Sequence, residues 1–82
     1  MQYKIQIEKQ ALKFIQKQDR PQRERILAAI AHLPLIGDIK PLVNRPGYFR
    51  LRVGDYRVIY TVDNDVLTVF VVKVGNRGEI YK

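Results

Sequence analysis

The sequence predicts an α+β fold: an N-terminal strand and a helical hairpin packed on one face of a mainly antiparallel β-sheet, in the order β-α-α-β-β-β. Three observations predict it. Tyr3, Ile5 and Ile7 alternate with Lys4, Gln6 and Glu8. Apolar residues then recur at helical spacing as far as Leu33. From Tyr48 onward the period returns to two.

The first alternation is a strand. After it, Ile7, Ala11, Phe14 and Ile15 share one side of a helix, with Lys9, Lys13, Gln16 and Lys17 facing out. Asp19, followed by Arg20 and Pro21, has the form of an N-cap and first turn for a second helix. Ile26, Ala29, Ile30 and Leu33 give that helix its apolar stripe, and the short break near Asp19 folds the two helices into a hairpin. Pro34, Gly37, Pro41, Pro46 and Gly47 then punctuate a stretch that reads as loop.

In YFRLRVGDYRVIY, residues 48–60, Phe49, Leu51 and Val53 fall on one face and Tyr48, Arg50 and Arg52 on the other. Gly54-Asp55, with glycine first, suits a two-residue type II′ turn. That register sets Val53 against Tyr56 and brings Tyr56, Val58, Tyr60 and Val62 to the Phe49 face. It also sets Arg52 directly against Arg57. Asp63-Asn64-Asp65 turns the chain into VLTVFVVKV, which is apolar on both sides and so central, with Gly75 ending it.

The 82 residues are read as one domain spanning 1–82, with a small core. With 46% hydrophobic residues the chain is ordinary for a globular protein. The absence of cysteine excludes a disulfide framework and a thiolate zinc site, and a single histidine, His32, excludes a histidine-rich metal cluster. His32 reads as a helix-terminal residue. The N-terminus has no hydrophobic block of signal-peptide length, and Val66 to Val72 is too short to cross a bilayer, so a soluble cytoplasmic protein is expected. Fifteen basic and eight acidic residues give a net charge of +7, which favours an anionic partner.

The arrangement of the charge is more specific than its sum. Like charges directly opposed on a sheet are destabilising. Arg50, Arg52 and Arg57 cluster on one face, with two tyrosines nearby and no matching acid on that face. A guanidinium offers five donors in a planar fork that matches phosphate oxygens. The cluster therefore points to an anion site on an open sheet face. The basic stripe Lys9, Lys13 and Lys17 reads as a solvated helix face.

The segments LRVGDYRVIY and VGNRGEIYK, within LRVGDYRVIYTVDNDVLTVFVVKVGNRGEIYK, resemble the C-terminal half of the RelE family of toxins from toxin–antitoxin pairs, and the leading strand and helical hairpin fit the same family. The resemblance implies a RelE-like domain over the whole chain. It implies a small, metal-independent, ribosome-dependent mRNA endoribonuclease, without cofactor, that inhibits translation. It also implies an acidic RelB-like antitoxin as partner, mRNA in the ribosomal A site and ribosomal RNA as targets, and no membrane. By this resemblance Arg57 binds the scissile phosphate, Arg77 stabilises the transition state or assists the leaving group, and Tyr81 positions the nucleotide or takes part in proton transfer. Arg50 stands where active relatives often carry lysine. Arg52, Tyr48, Arg45 and Lys73 complete the candidate RNA-binding set. The chain departs from the family pattern at Tyr48, in place of a second lysine, and at Asn76 and Gly78 in the final motif. The anion-binding half of the chemistry is well represented and the proton-transfer half less so, since arginine cannot act as a general base. Two other functions stay open: a ParE-like toxin that poisons DNA gyrase through a protein contact, and an RNA- or ribosome-binding module without catalysis.

Overall fold

In the computed structural model, residues 3–76 are described. The elements are β1 (Lys4–Ile7), α1 (Lys9–Lys17), α2 (Arg20–Ala31), β2 (Asp38–Pro41), β3 (Tyr48–Val53), β4 (Tyr56–Asp63) and β5 (Thr68–Asn76). The strands form one mixed five-stranded sheet in the order β1-β5-β4-β3-β2. β1 runs parallel to β5 and every other pair is antiparallel. α1 packs on β5 and α2 on β3, so both helices cover the same face.

The helices form where the stripes place them, except that Ile7 ends β1, because it pairs with Val71, and Leu33 lies past the C-cap of α2. Ala11 and Ile15 are the buried residues of α1, and Ile26 and Ile30 those of α2. Asp19 is the N-cap of α2, its side chain accepting from the Gln22 amide at 3.2 Å, with Pro21 in the first turn. His32 is the C-cap, and its Nδ1 lies 2.9 Å from the Ala28 carbonyl. Helix and sheet meet in one core of Ala11, Ile15, Ile26, Ile30, Leu33, Leu51, Val53, Val58, Tyr60, Val69, Val71 and Val74. Each fully buried aliphatic side chain of this kind contributes roughly 1.5–3 kcal/mol over an exposed one.

The β3–β4 register is the one the turn chemistry predicts: Val53 pairs with Tyr56 and Arg52 with Arg57. Gly54 has φ +58 and Asp55 is not left-handed, as a type II′ turn requires. Two features differ from the sequence reading. Part of the stretch read as loop is a strand, because Asp38–Pro41 pairs with β3 at the sheet edge. The last strand begins at Thr68, with Leu67 in a left-handed turn conformation (φ 46), and it runs on through Gly75 to Asn76.

β5 also carries a bulge. Ile59 pairs with Lys73 and Tyr60 with Val71, so Val72 is the additional residue. Strict alternation from Val69 and Val71 would send Lys73 into the core and Val74 out. The bulge reverses this, and Val74 is buried while Lys73 is exposed.

Candidate nucleic-acid interface

The sheet face turned away from the helices is laid out in cross-strand rows. One row runs Asp38, Arg52, Arg57, Gly75 and the next Lys40, Arg50, Ile59, Lys73. The sequence-predicted residues Arg50, Arg52, Arg57 and Lys73 therefore share one surface, to which β2 adds Lys40 and Asp38. Tyr48 lies at the other end of β3 on the same face. The expected Arg77 and Tyr81 fall outside the described residues.

This face is less open than the sequence implies. Arg57 is only 5% exposed and Ile59 is also buried. The register sets Ile59 between Arg50 and Lys73, whose long stems flank it. Arg57 is fixed by its own turn. Its Nη1 donates to the Gly54 carbonyl at 3.1 Å and to the Tyr56 carbonyl at 2.9 Å. Nε and Nη2 have no partner among the described residues. Two backbone carbonyls orient a guanidinium without neutralising it, so the charge stays available to an anion.

The strand that reads as loop also brings an acid to the face. Arg50 Nη2 lies 3.2 Å from Asp38 Oδ1, with the Arg50 side chain 15% exposed. Its Nε is buried without a partner. The expectation of arginines without an acid on their face is thus corrected for Arg50, which is neutralised. Among the described residues the ion pairs are Arg50–Asp38 and the exposed helical pair Arg20–Glu24. Arg52 and Arg57 have none. Asp38 was hidden in Gly-Asp-Ile-Lys-Pro, too short and too close to proline to show alternation.

Arg45 and Tyr48 form a separate unit at the edge of the face. Pro46 and Gly47 (φ +85) occupy the centre of a turn closed by the Tyr48 amide donating to the Arg45 carbonyl at 3.1 Å. The turn folds Arg45 back so that its guanidinium carbon sits 4.2 Å from the centre of the Tyr48 ring. Thr61 anchors this turn, donating to the Gly47 carbonyl at 2.7 Å. A planar cation over an aromatic ring is a surface on which a nucleobase stacks.

One basic residue of this region was missed by the sequence reading. Arg25 of α2 lies against the β3–β4 turn, where a Cβ on Gly54 would meet its guanidinium carbon and both terminal nitrogens at an equal 3.0 Å. Equal distances to those three atoms place the planar group flat against Gly54. No sequence signal joins positions 25 and 54.

Comparison with known proteins places this architecture. A family model described as ParE toxin of type II toxin-antitoxin system, parDE, matches residues 5–81. Toxin RelG of Mycobacterium tuberculosis is 37% identical, with 71% of this chain and 76% of that protein covered. The archaeal RelE–RelB complex from Pyrococcus horikoshii OT3 superposes with a TM-score of 0.78 at 29% identity, over 96% of this chain and 99% of that one. Isolated E. coli RelE toxin gives 0.72 at 28% identity, over 96% and 90%. The class is therefore a small toxin with the RelE fold. The chain belongs to the RelE/ParE toxin family of type II toxin–antitoxin systems.

Proposed function

We propose that this toxin is a ribosome-dependent, metal-independent mRNA endoribonuclease that inhibits translation in the cytoplasm, acting as a single domain over residues 1–82. The observation that carries the reading is the opposition of Arg52 and Arg57, the latter held by two carbonyls and neither paired with an acid among the described residues. An anionic ligand with several oxygens turns this unfavourable arrangement into a favourable one.

The reaction fits a site rich in guanidinium. The ribose 2′-oxygen attacks the adjacent phosphorus, the bond to the 5′-oxygen of the next nucleotide breaks, and a 2′,3′-cyclic phosphate and a 5′-hydroxyl result. One proton leaves the 2′-hydroxyl and one reaches the departing oxygen. Arg57 binds the non-bridging oxygens and stabilises the phosphorane as its charge develops, with Arg52 beside it. Arg50, oriented by Asp38, and Lys73 align the flanking backbone, and Tyr48 with Arg45 stacks a base. Arg77 and Tyr81 are assigned to the leaving group and to proton transfer. None of the described side chains on this face is a histidine, so the face supplies charge and stacking rather than a base.

An acidic antitoxin is the expected partner, since the similar RelE chains include those of RelE–RelB complexes. A second reading, gyrase poisoning through a protein contact, draws on the ParE description of the matching family model. Primer extension on mRNA in a translating extract separates the two. The expected result is ribosome-dependent cuts that disappear with Arg57→Ala, Arg77→Ala and Tyr81→Phe. Growth arrest with intact mRNA and broken DNA would show the second reading instead, and arrest of translation without cuts would show a binding module.

A further inference from the structure

The β3–β4 turn carries a guanidinium on each side. Arg57 bonds to the Gly54 carbonyl from the open face of the sheet, and Arg25 lies flat on the same residue from the helix side. Beyond Arg25 is a hollow of about 450 Å³ between α2 and the end of β3, lined by Arg25, Ala29, His32, Arg52, Val53 and Gly54 among others. With its flat face against the turn, Arg25 keeps the donors on its edge directed away from Gly54. It makes no hydrogen bond or ion pair to any described residue, unlike its neighbour Arg20, which pairs with Glu24. Arg25 is solvent-exposed and rests on the turn as a cation without a counter-charge among the described residues.

We propose that this hollow is a second phosphodiester site, in which Arg25 takes a phosphate of the same RNA strand whose scissile phosphate lies at Arg57. The proposal rests on the nuclease reading of the open face and extends it around the turn. The strand leaves the sheet face, passes over Gly54 and presents its next accessible phosphate to Arg25. Gly54 suits this path because it has no side chain to lift either guanidinium or the RNA backbone. A Cβ there would press on Arg25 and would force an L residue into φ +58. The occupant is RNA rather than an acidic peptide because Arg25 and the open-face Arg57 flank the same residue, Gly54, so a strand held at one continues to the other.

The test is binding of non-cleavable 2′-O-methyl RNA of two lengths, a dinucleotide with one phosphodiester and a single-stranded octamer, across a salt series. Each phosphate contact to a single strand contributes a slope of about 0.7 in log affinity against log salt. Arg25→Ala is expected to lower the octamer slope by about one such contact and to leave the dinucleotide unchanged. Arg25→Lys is expected to retain the slope, because the charge stays. Arg57→Ala should weaken both oligonucleotides. If it weakens neither, the parent reading fails, whatever Arg25 does. If Arg57→Ala weakens both but Arg25→Ala binds the octamer like the wild type, or weakens both lengths equally, the second site is overturned alone. It is likewise overturned if the Arg25 effect is confined to an RNA duplex, or if only binding of a poly-glutamate peptide changes. Circular dichroism melts of each variant confirm that the chain being titrated is folded.

Discussion

Arg52 and Arg57 stand directly opposite one another across the β3–β4 pair, one exposed and the other almost wholly buried. Asp38 is the cross-strand neighbour of Arg52 on the other side, yet its carboxylate turns to Arg50 instead. The opposition is therefore left uncompensated among the described residues, in a chain with a net charge of +7. An arrangement that opposes folding and favours an anion separates stability from activity, and that separation can be measured.

Arg52→Ala is expected to leave the fold as stable as the wild type or to raise it by about 0.2–1 kcal/mol, because it removes a like-charge pair. The same change is expected to weaken RNA cleavage. Arg57→Ala should reduce cleavage by about 10²–10³-fold, the scale for loss of a placed electrostatic donor. It should also destabilise, because the Gly54 and Tyr56 carbonyls lose their donor. Urea unfolding alongside primer extension tests both, and a marked loss of stability in Arg52→Ala would contradict the account of the opposition.

Asp38 gives the converse case. It is half exposed, so its pair with Arg50 contributes at most about 1 kcal/mol. Asp38→Asn is expected to lower stability by no more than that, while adding one unit of positive charge to the proposed RNA-binding face. Affinity for a single-stranded oligonucleotide should rise, and the rise should shrink as salt is added. Unchanged affinity at low salt would show that Arg50 lies off the path of the RNA.

Much of this face was legible before the structure, for identifiable reasons. The Gly54-Asp55 turn sets the hairpin register, and the register alone places Arg52 against Arg57. Lys73 was legible as a basic residue, but its side of the sheet was not. Period two sends it inward, and only the bulge at Val72 returns it to the face. Asp38 was hidden because a four-residue edge strand ending in proline is too short to display a period. Arg25 was hidden because its contact joins a helix to a turn 29 positions away (54 − 25), through a glycine whose contribution is the absence of a side chain.

Gly37 links the backbone to the placement of Asp38. It precedes β2 with φ +139, and a Cβ there would come 2.6 Å from Leu51 Cδ1 in the core. Gly37→Ala is expected to destabilise by about 1–3 kcal/mol, combining backbone strain with a forced shift of Leu51. Because β2 is an edge strand that pairs only with β3 among the described residues, the shift should also release Asp38 from Arg50. Faster amide exchange at Lys40 than at β4 positions would reveal that release, whereas uniform acceleration would indicate only a general loss of stability.

Tyr60 sets an alkaline limit. Its phenol is buried in the core, its ring stacked on Phe49 at 5.6 Å, and burial pushes its pKa from 10 up to about 12. Below pH 10 the phenol is neutral in the folded and unfolded chains, so it adds no pH dependence. Between pH 10 and 12 the unfolded chain releases the proton while the folded chain retains it, and stability falls as pH rises. Above about pH 12 both states are ionised and the loss is complete. Tyr60→Phe keeps the stacked ring and removes the ionisation, so its urea midpoint should fall less than that of the wild type between pH 9 and 11.5. Other groups that titrate in this range are common to both proteins and cancel in the comparison. Parallel declines would mean that the Tyr60 phenol is not what limits the fold in alkali.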